Sequence, residues 1–371
     1  MKRVAILTMA LALATMLAPA APALDGRAAL SYVDFSTTLG GPIPDNDPTG
    51  VFAEVFTVSE RGIILDLNVS IDITHSRVGD LLITLEHYGT GVTRTLVNRP
   101  GVPATARGCL GDNISITLDD EATPQIETMC LGSTPTLAGT ARPNNSLSVF
   151  DGHDLNGSWI LTVKDRAAGN TGSLAEVTMH FGVETCDGKP ATILGTSGDD
   201  ILTGGSGDDV IVGREGNDTI NGGDGADAIC GNKGDDTLDG GNGQDALFGG
   251  NGRDRLAGGD GADSLDGGEG QDTADYVTAT GPVTVDLAAG SALGSAGADV
   301  LVALENAEGS SFADLLLGSG AANTLRGGDG DDRLQGRGGN DTLFGGPGND
   351  SALGGPGSDS CTAETETGCE A

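Results

Sequence analysis

Residues 240–263 read GGNGQDALFGGNGRDRLAGGDGAD. Glycine pairs return every nine residues, and each is followed by one more glycine and then an aspartate at fixed spacing. Stepping by nine in both directions, glycine holds position 1 at Gly195, Gly204, Gly213, Gly222, Gly231, Gly240, Gly249, Gly258 and Gly267. Position 4 is glycine from Gly198 to Gly270. Position 6 is Asp200, Asp209, Asp218, Asp227, Asp236, Asp245, Asp254, Asp263 and Asp272. Position 8 is apolar: Leu202, Ile211, Ile220, Ile229, Leu238, Leu247, Leu256, Leu265 and Ala274. A second block restarts at Gly309 and steps through Gly318, Gly327, Gly336, Gly345 and Gly354. Its position 6 residues are Asp314, Asn323, Asp332, Asp341, Asp350 and Asp359. Glycine permits tight backbone bends where a Cβ would clash, and aspartate supplies a hard anionic oxygen.

The nonapeptide GGxGxDxUx resembles the hemolysin-type (repeats-in-toxin) calcium-binding family. That resemblance implies a parallel β-roll in which each calcium lies between stacked turns, held by aspartates and backbone carbonyls. Calcium accepts 6–8 oxygens at about 2.3–2.6 Å with tolerant geometry. Two units close a coil of eighteen residues, so Asp209, Asp227, Asp245 and Asp263 form one file. Asp200, Asp218, Asp236, Asp254 and Asp272 form the other. One ion per stacked pair gives seven sites in the first block and at most four in the second. Asp332, Asp341, Asp350 and Asp359 are the expected ligands there. Asn323 lacks charge, and Phe312 and Ala321 replace position 4 glycines, which weakens the first turns of that block. The alternative is a glycine-rich disordered linker, which the regular aspartates and apolar position 8 disfavour once calcium is present. Without calcium, stacked carboxylates repel. One apolar residue in nine offsets little of a backbone ordering cost of about 1–2 kcal/mol per residue.

Composition agrees. The chain has 371 residues, 63 of them glycine, only 3% aromatic residues and a net charge of −35, so one apolar core cannot organise the whole. Phosphate backbones need a basic surface, so nucleic acid is not an expected partner, and divalent cations are. The N-terminus carries Lys2 and Arg3, an apolar run from Val4 to Ala18, then Ala21, Pro22 and Ala23. This pattern reads as a cleaved secretory signal over 1–23, making the expected location extracellular. No other segment is apolar and long enough to span a bilayer. The six cysteines, Cys109, Cys130, Cys186, Cys230, Cys361 and Cys369, fit disulfides in an exported chain. Chain proximity suggests Cys109–Cys130, Cys186–Cys230 and Cys361–Cys369, although sequence alone leaves other pairings open.

Residues 24–186 have a different grammar. Apolar and polar residues alternate over Gly62–Ile73, Asp80–Tyr88, Ser158–Asp165 and Ala175–Phe181, with turn residues between, as in an all-β sandwich or barrel. Three stretches carry a family resemblance: IPDNDPTG at Ile43–Gly50, ITHSRVGDLLITL at Ile73–Leu85, and RPNNSLSVFDGHDLNGSWILTVKDRAAGNTGSLAEVTMHF at Arg142–Phe181. Over roughly 31–183 the chain resembles the P/homo B domain of proprotein convertases. The resemblance implies a jelly-roll β-sandwich that supports a neighbouring serine protease domain, and the family's catalytic residues lie outside the matched region. No GxSxG elbow occurs. The histidines His75, His87, His153 and His180 read as structural hydrogen bonders, and Trp159 as core. Asp45, Asp47 and Asp165 are ordinary turn and strand-end acids that could also serve calcium.

The expected architecture is all-β. A signal over 1–23 precedes a sandwich over 31–183. A first calcium block covers 195–275, an insert of uncalcified coils 276–308, a second block 309–362 and a tail 363–371. The expected function is a secreted, non-catalytic calcium-binding protein acting in surface adhesion or partner binding. The alternative is an accessory or remnant of a subtilisin-like serine endopeptidase system, with a protease as partner. No catalytic residue is expected in this chain, and Ca2+ is the expected cofactor.

Overall fold

Period-two alternation in the first half becomes two facing sheets. The computed structural model describes residues 29–37, 41–45, 51–98, 112–123, 125–126, 129 and 137–369. The expected signal segment, Cys109, Cys130 and Asp47 lie outside the described residues. One sheet contains β1 (Ala29–Thr37), β2 (Gly41–Ile43), β4 (Asp66–His75), β7 (Ile114–Leu118), β8 (Leu137–Ala141) and β10 (Gly172–Cys186). Its order is β1-β10-β4-β7-β8, with β2 on the end of β10. The other contains β3 (Phe52–Val58), β5 (Leu81–His87), β6 (Val92–Asn98) and β9 (Gly157–Asp165), in the order β3-β9-β5-β6. Inward residues such as Val69, Ile71, Ile73, Ile83, Leu85, Leu161 and Val163 are buried between the sheets. Trp159 sits at the centre, against Phe150 at 5.0 Å and Phe181 at 5.2 Å, with His87 stacked on it at 4.4 Å. Its indole N–H donates to the Leu155 carbonyl at 3.0 Å, so the buried polar atom is satisfied. Gly172 opens β10. A Cβ there would collide with Thr74 and His75, so its role is close approach between strands.

From Ile193 to Thr367 the chain winds into a parallel β-roll. Strands pair with the strand eighteen residues on: Ile211 faces Ile229 and Leu238 faces Leu256. Each coil therefore contributes one strand to each of two sheets, and position 8 points between them. Ile211, Ile220, Ile229, Leu238, Leu247, Leu256 and Leu265 form a single buried row, continued by Leu316, Leu325, Leu334 and Leu343.

The insert departs from expectation. On one face Asn306–Glu308 simply stacks between Thr273–Asp275 and Thr324–Arg326. On the other, three strands form a meander that breaks sequence order. Gly297–Val302 continues the stack from Ser264–Gly270. Ser291–Gly294 and Val283–Asp286 follow in antiparallel pairings, and the last passes to Leu315–Leu317. The insert therefore extends the roll, but not as plain coils. Its larger side chains cause this: Tyr276, Val283, Val285, Leu301 and Leu304 are all buried, more apolar volume than one residue per nine can place in a coil.

The sandwich and roll are joined by a third apolar cluster. Cys186 and Ala191 pack with Val210, Val212, Ala228, Cys230 and Phe248 of the first coils. The Cys186–Cys230 disulfide crosses this contact, and Cys361–Cys369 closes the far end; both pairings match the proximity reading. Replacing Cys186 and Cys230 by serine releases a 44-residue closure. The cost expected is about 2–4 kcal/mol, read as an earlier denaturant midpoint for amide protection of residues 192–212 in calcium.

Candidate metal centres along the roll

The turn before each strand positions one carboxylate. After the first coil of each block, position 2 adopts left-handed backbone, and position 4 does so in most turns, as at Gly241 (φ 96°), Gly243 (φ 151°), Gly259 (φ 90°) and Gly261 (φ 158°). Position 1 is equally constrained. A Cβ on Gly240 would stand 2.5 Å from both the Asp245 Oδ2 and the Gly258 carbonyl oxygen, so only glycine lets these two oxygens converge.

Each position 6 aspartate then divides its two oxygens. Oδ1 accepts the backbone N–H of the aspartate one coil earlier: Asp227 N–H to Asp245 Oδ1 at 2.8 Å, Asp236 N–H to Asp254 Oδ1 at 2.8 Å, and Asp341 N–H to Asp359 Oδ1 at 2.9 Å. The two files expected from the eighteen-residue step are thus hydrogen-bonded ladders. Oδ2 is buried and has no protein donor at Asp218, Asp227, Asp236, Asp245, Asp254, Asp263 and Asp272, nor at Asp332, Asp341, Asp350 and Asp359. A buried carboxylate oxygen without a partner carries a large desolvation cost. Burial accordingly pushes Asp236, Asp245, Asp263, Asp272 and Asp332 up to about 6, and Asp254 to about 7, with neighbouring carboxylates adding to the shift. An oxygen so placed suits a cation. Carboxylate and inward carbonyl oxygens are the donor set that calcium prefers, and the residues fit that ion. Seven orphaned oxygens lie in the first block and four in the second, the same numbers as the stacked pairs.

The lead coils differ. Asp200 and Asp209 are only half-buried. Asp200 Oδ2 accepts the Thr196 N–H at 2.6 Å and hydroxyl at 3.0 Å, and Asp209 Oδ1 accepts the Thr192 hydroxyl at 3.2 Å. Ser310 closes Asp314 and Ser319 closes Asn323 in the same way. Three ladder acceptors escaped the sequence reading: Asp299 takes the Asp263 N–H, Glu305 the Asp272 N–H and Glu364 the Asp350 N–H. An acid placed two residues before an inward side chain, as in Asp299-Val300-Leu301, is the signal that could have found them without flanking glycines.

These shifts fix a sign for pH. The folded roll holds Asp236, Asp245, Asp254, Asp263, Asp272 and Asp332 above the unfolded value near 3.9. Protonation therefore stabilises the calcium-free roll at acid pH, and this contribution is lost as pH rises through about 6–7. In chelator, acidification from about pH 8 to about pH 5 is expected to increase the far-UV β signal. A decrease on acidification would contradict the orphaned-carboxylate account.

In the sandwich, Asp45 binds the Gly169 N–H with both oxygens, and Asp165 accepts the Ala167 N–H and faces His75 Nε2 at 3.3 Å. His75 Nδ1 accepts the Arg77 N–H, His87 Nε2 contacts the Asn156 carbonyl and His153 Nδ1 the Phe150 carbonyl. His180 is less ordinary. It lies between Asp34 Oδ1 (2.8 Å to Nδ1) and Ser70 Oγ (2.9 Å to Nε2), and Thr117 Oγ1 is 2.8 Å beyond Ser70. The row has the order of a hydrolytic triad. It crosses the sheet face opposite the core, whose backbone N–H groups are spent in the β1–β10–β4–β7 ladders. Among the described residues no donor pair is therefore aimed at a developing oxyanion.

Residues 64–181 match the proprotein convertase P-domain family. The stretches 194–229, 203–238, 221–256, 239–274, 308–343 and 327–361 match the RTX calcium-binding nonapeptide repeat. No curated protein sequence matches the chain. Among solved structures, similarity is found to the serine protease of Aeromonas sobria in complex with its chaperone ORF2, at 16% identity and a TM-score of 0.27. The same protease alone gives 15% and 0.26. Each match covers 41% of this chain and 27% of the protease.

Proposed function

We propose that this chain, which joins a proprotein convertase P-domain to RTX calcium-binding nonapeptide repeats, is a secreted, non-catalytic protein whose roll folds on calcium and acts in surface adhesion or partner binding. The observation that carries this is the set of buried Oδ2 atoms without donors, from Asp218 to Asp359. Calcium supplies the compensating charge there; the chain's own glycines, carbonyls and ladder bonds shape and orient the oxygens. Calcium is scarce inside cells and abundant outside, so the roll consolidates after export. Among the described residues no helix is long and apolar enough to cross a membrane. The test is metal analysis of the full chain after equilibration in millimolar calcium. About eleven ions per chain are expected, one for each orphaned oxygen. Two or fewer would overturn the reading.

The P-domain favours a second reading, an accessory role beside a subtilisin-like serine endopeptidase. The two differ in a protease assay with and without a co-purified partner. A fluorophosphonate probe is expected to leave Ser70 unlabelled, because the Ser70–His180–Asp34 row lacks an oxyanion site. An adduct at Ser70 would overturn the non-catalytic assignment.

A further inference from the structure

We propose that each calcium block is built on a lead coil that folds without calcium, and that an arginine one coil later serves as its fixed internal cation. The proposal rests on the calcium reading of the other coils. Only three of the fifteen repeats carry a hydroxyl at position 2: Thr196, Ser310 and Ser319. All three lie in lead coils, 195–212 or 309–326, and each gives its N–H and hydroxyl to the position 6 oxygen that is orphaned elsewhere. At these three turns the oxygen is satisfied by protein, so no ion is required; the fourth lead-coil acid, Asp209, accepts the Thr192 hydroxyl at Oδ1 instead.

The arginines recur in matching places. Arg214 occupies position 2 of the third repeat of its block and Arg337 position 2 of the fourth, each in the coil that follows the lead coil, and both in left-handed backbone (φ 85° and 73°) that a non-glycine residue rarely adopts. Arg214 Nη1 donates to the Gly195 carbonyl at 3.1 Å, and Arg337 Nη1 to the Gly318 carbonyl at 2.8 Å, each nineteen residues earlier. A second nitrogen of each guanidinium is held by a carboxylate outside the block: Arg214 Nε donates to Glu184 of β10 at 2.9 Å, and Arg337 Nη2 to Asp286 of the meander at 2.8 Å. One position 1 carbonyl of each lead coil is thus taken by a cation that belongs to the chain. Both lead coils also rest on apolar surface, the first on Cys186 and Ala191 of the sandwich, the second on the packed insert. The roll is therefore two calcium-driven units growing from two preformed templates.

Hydrogen exchange on the full chain tests this. In chelator, residues 192–212 and 276–326 are expected to stay protected while 216–275 and 340–362 exchange freely; in calcium all are protected. Arg337→Gln is expected to raise the calcium concentration that half-protects 340–362 by about tenfold and leave the first block unchanged. Arg214→Gln should do the converse. Arg333→Gln, an exposed position, is the control, and protection of residues 64–98 reports that each variant is folded. Lead coils that open in chelator, or an Arg337→Gln midpoint equal to that of the control, would overturn the proposal. Exchange that ignores calcium throughout the roll would instead overturn the calcium reading itself.

Discussion

Chelation of the full-length protein is expected to remove most of the β signal of residues 213–275 and 327–362 and leave the sandwich standing. Each repeat there buries one aliphatic side chain and one carboxylate with an unpartnered oxygen. Without a cation the stacked anions repel and remain desolvated, while the glycines, freed from their bends, regain the largest conformational freedom of any residue. Binding free energy then becomes folding free energy, as at structural metal sites generally. Two probes separate the halves. Far-UV circular dichroism follows the roll. Fluorescence of Trp159, the only tryptophan in the chain and buried in the sandwich, should hardly change. The dichroism should return on adding millimolar calcium. A full β signal in chelator would contradict the proposed mechanism.

Asp245→Ala is expected to be the most damaging single substitution in the first block. Asp245 lies mid-ladder, with its Oδ2 orphaned and its Oδ1 holding the Asp227 N–H at 2.8 Å. Truncation removes a calcium oxygen and leaves a buried backbone donor unpaired, a loss of about 1–3 kcal/mol before any ion is counted. The calcium midpoint for folding of the first block should rise at least about tenfold, with fewer ions bound per chain by calorimetry. Asp224→Asn, on an exposed side chain of the same coil system, should shift the midpoint by less than about twofold. Equal effects from the two would show that diffuse negative charge, rather than the ladder, governs binding.

The roll was legible because each of its requirements repeats in phase. Glycine at position 1 permits the approach of two oxygens, aspartate at position 6 closes the ladder, and Leu247 or Leu256 at position 8 fills the interior, so one spacing specifies turn, strand and register together. The meander was not legible. Val283–Asp286 pairs with Leu315–Leu317 rather than with the strand before it, and no local pattern encodes a reversal of stacking order. The guanidinium contacts of Arg214 and Arg337 were hidden for a related reason: their partners lie nineteen, thirty and fifty-one residues away. In the sandwich, alternation in Asp66–His75 and Gly157–Asp165 marked inward faces. The division of strands between the two sheets depends on long-range pairing and became visible only in three dimensions.

The continuous stack has a mechanical consequence. One face of the roll runs from Ile193–Leu194 to Thr365–Thr367 as an unbroken succession of neighbouring strands, and strands lie about 4.8 Å apart. When loaded, the far tip therefore stands roughly 50 Å from the P-domain at a set distance and heading. On the proposed calcium-driven folding, stripping the ions turns the two calcium blocks into soft joints and the tip wanders. On that proposal, ambient calcium sets the reach of whatever the distal end touches.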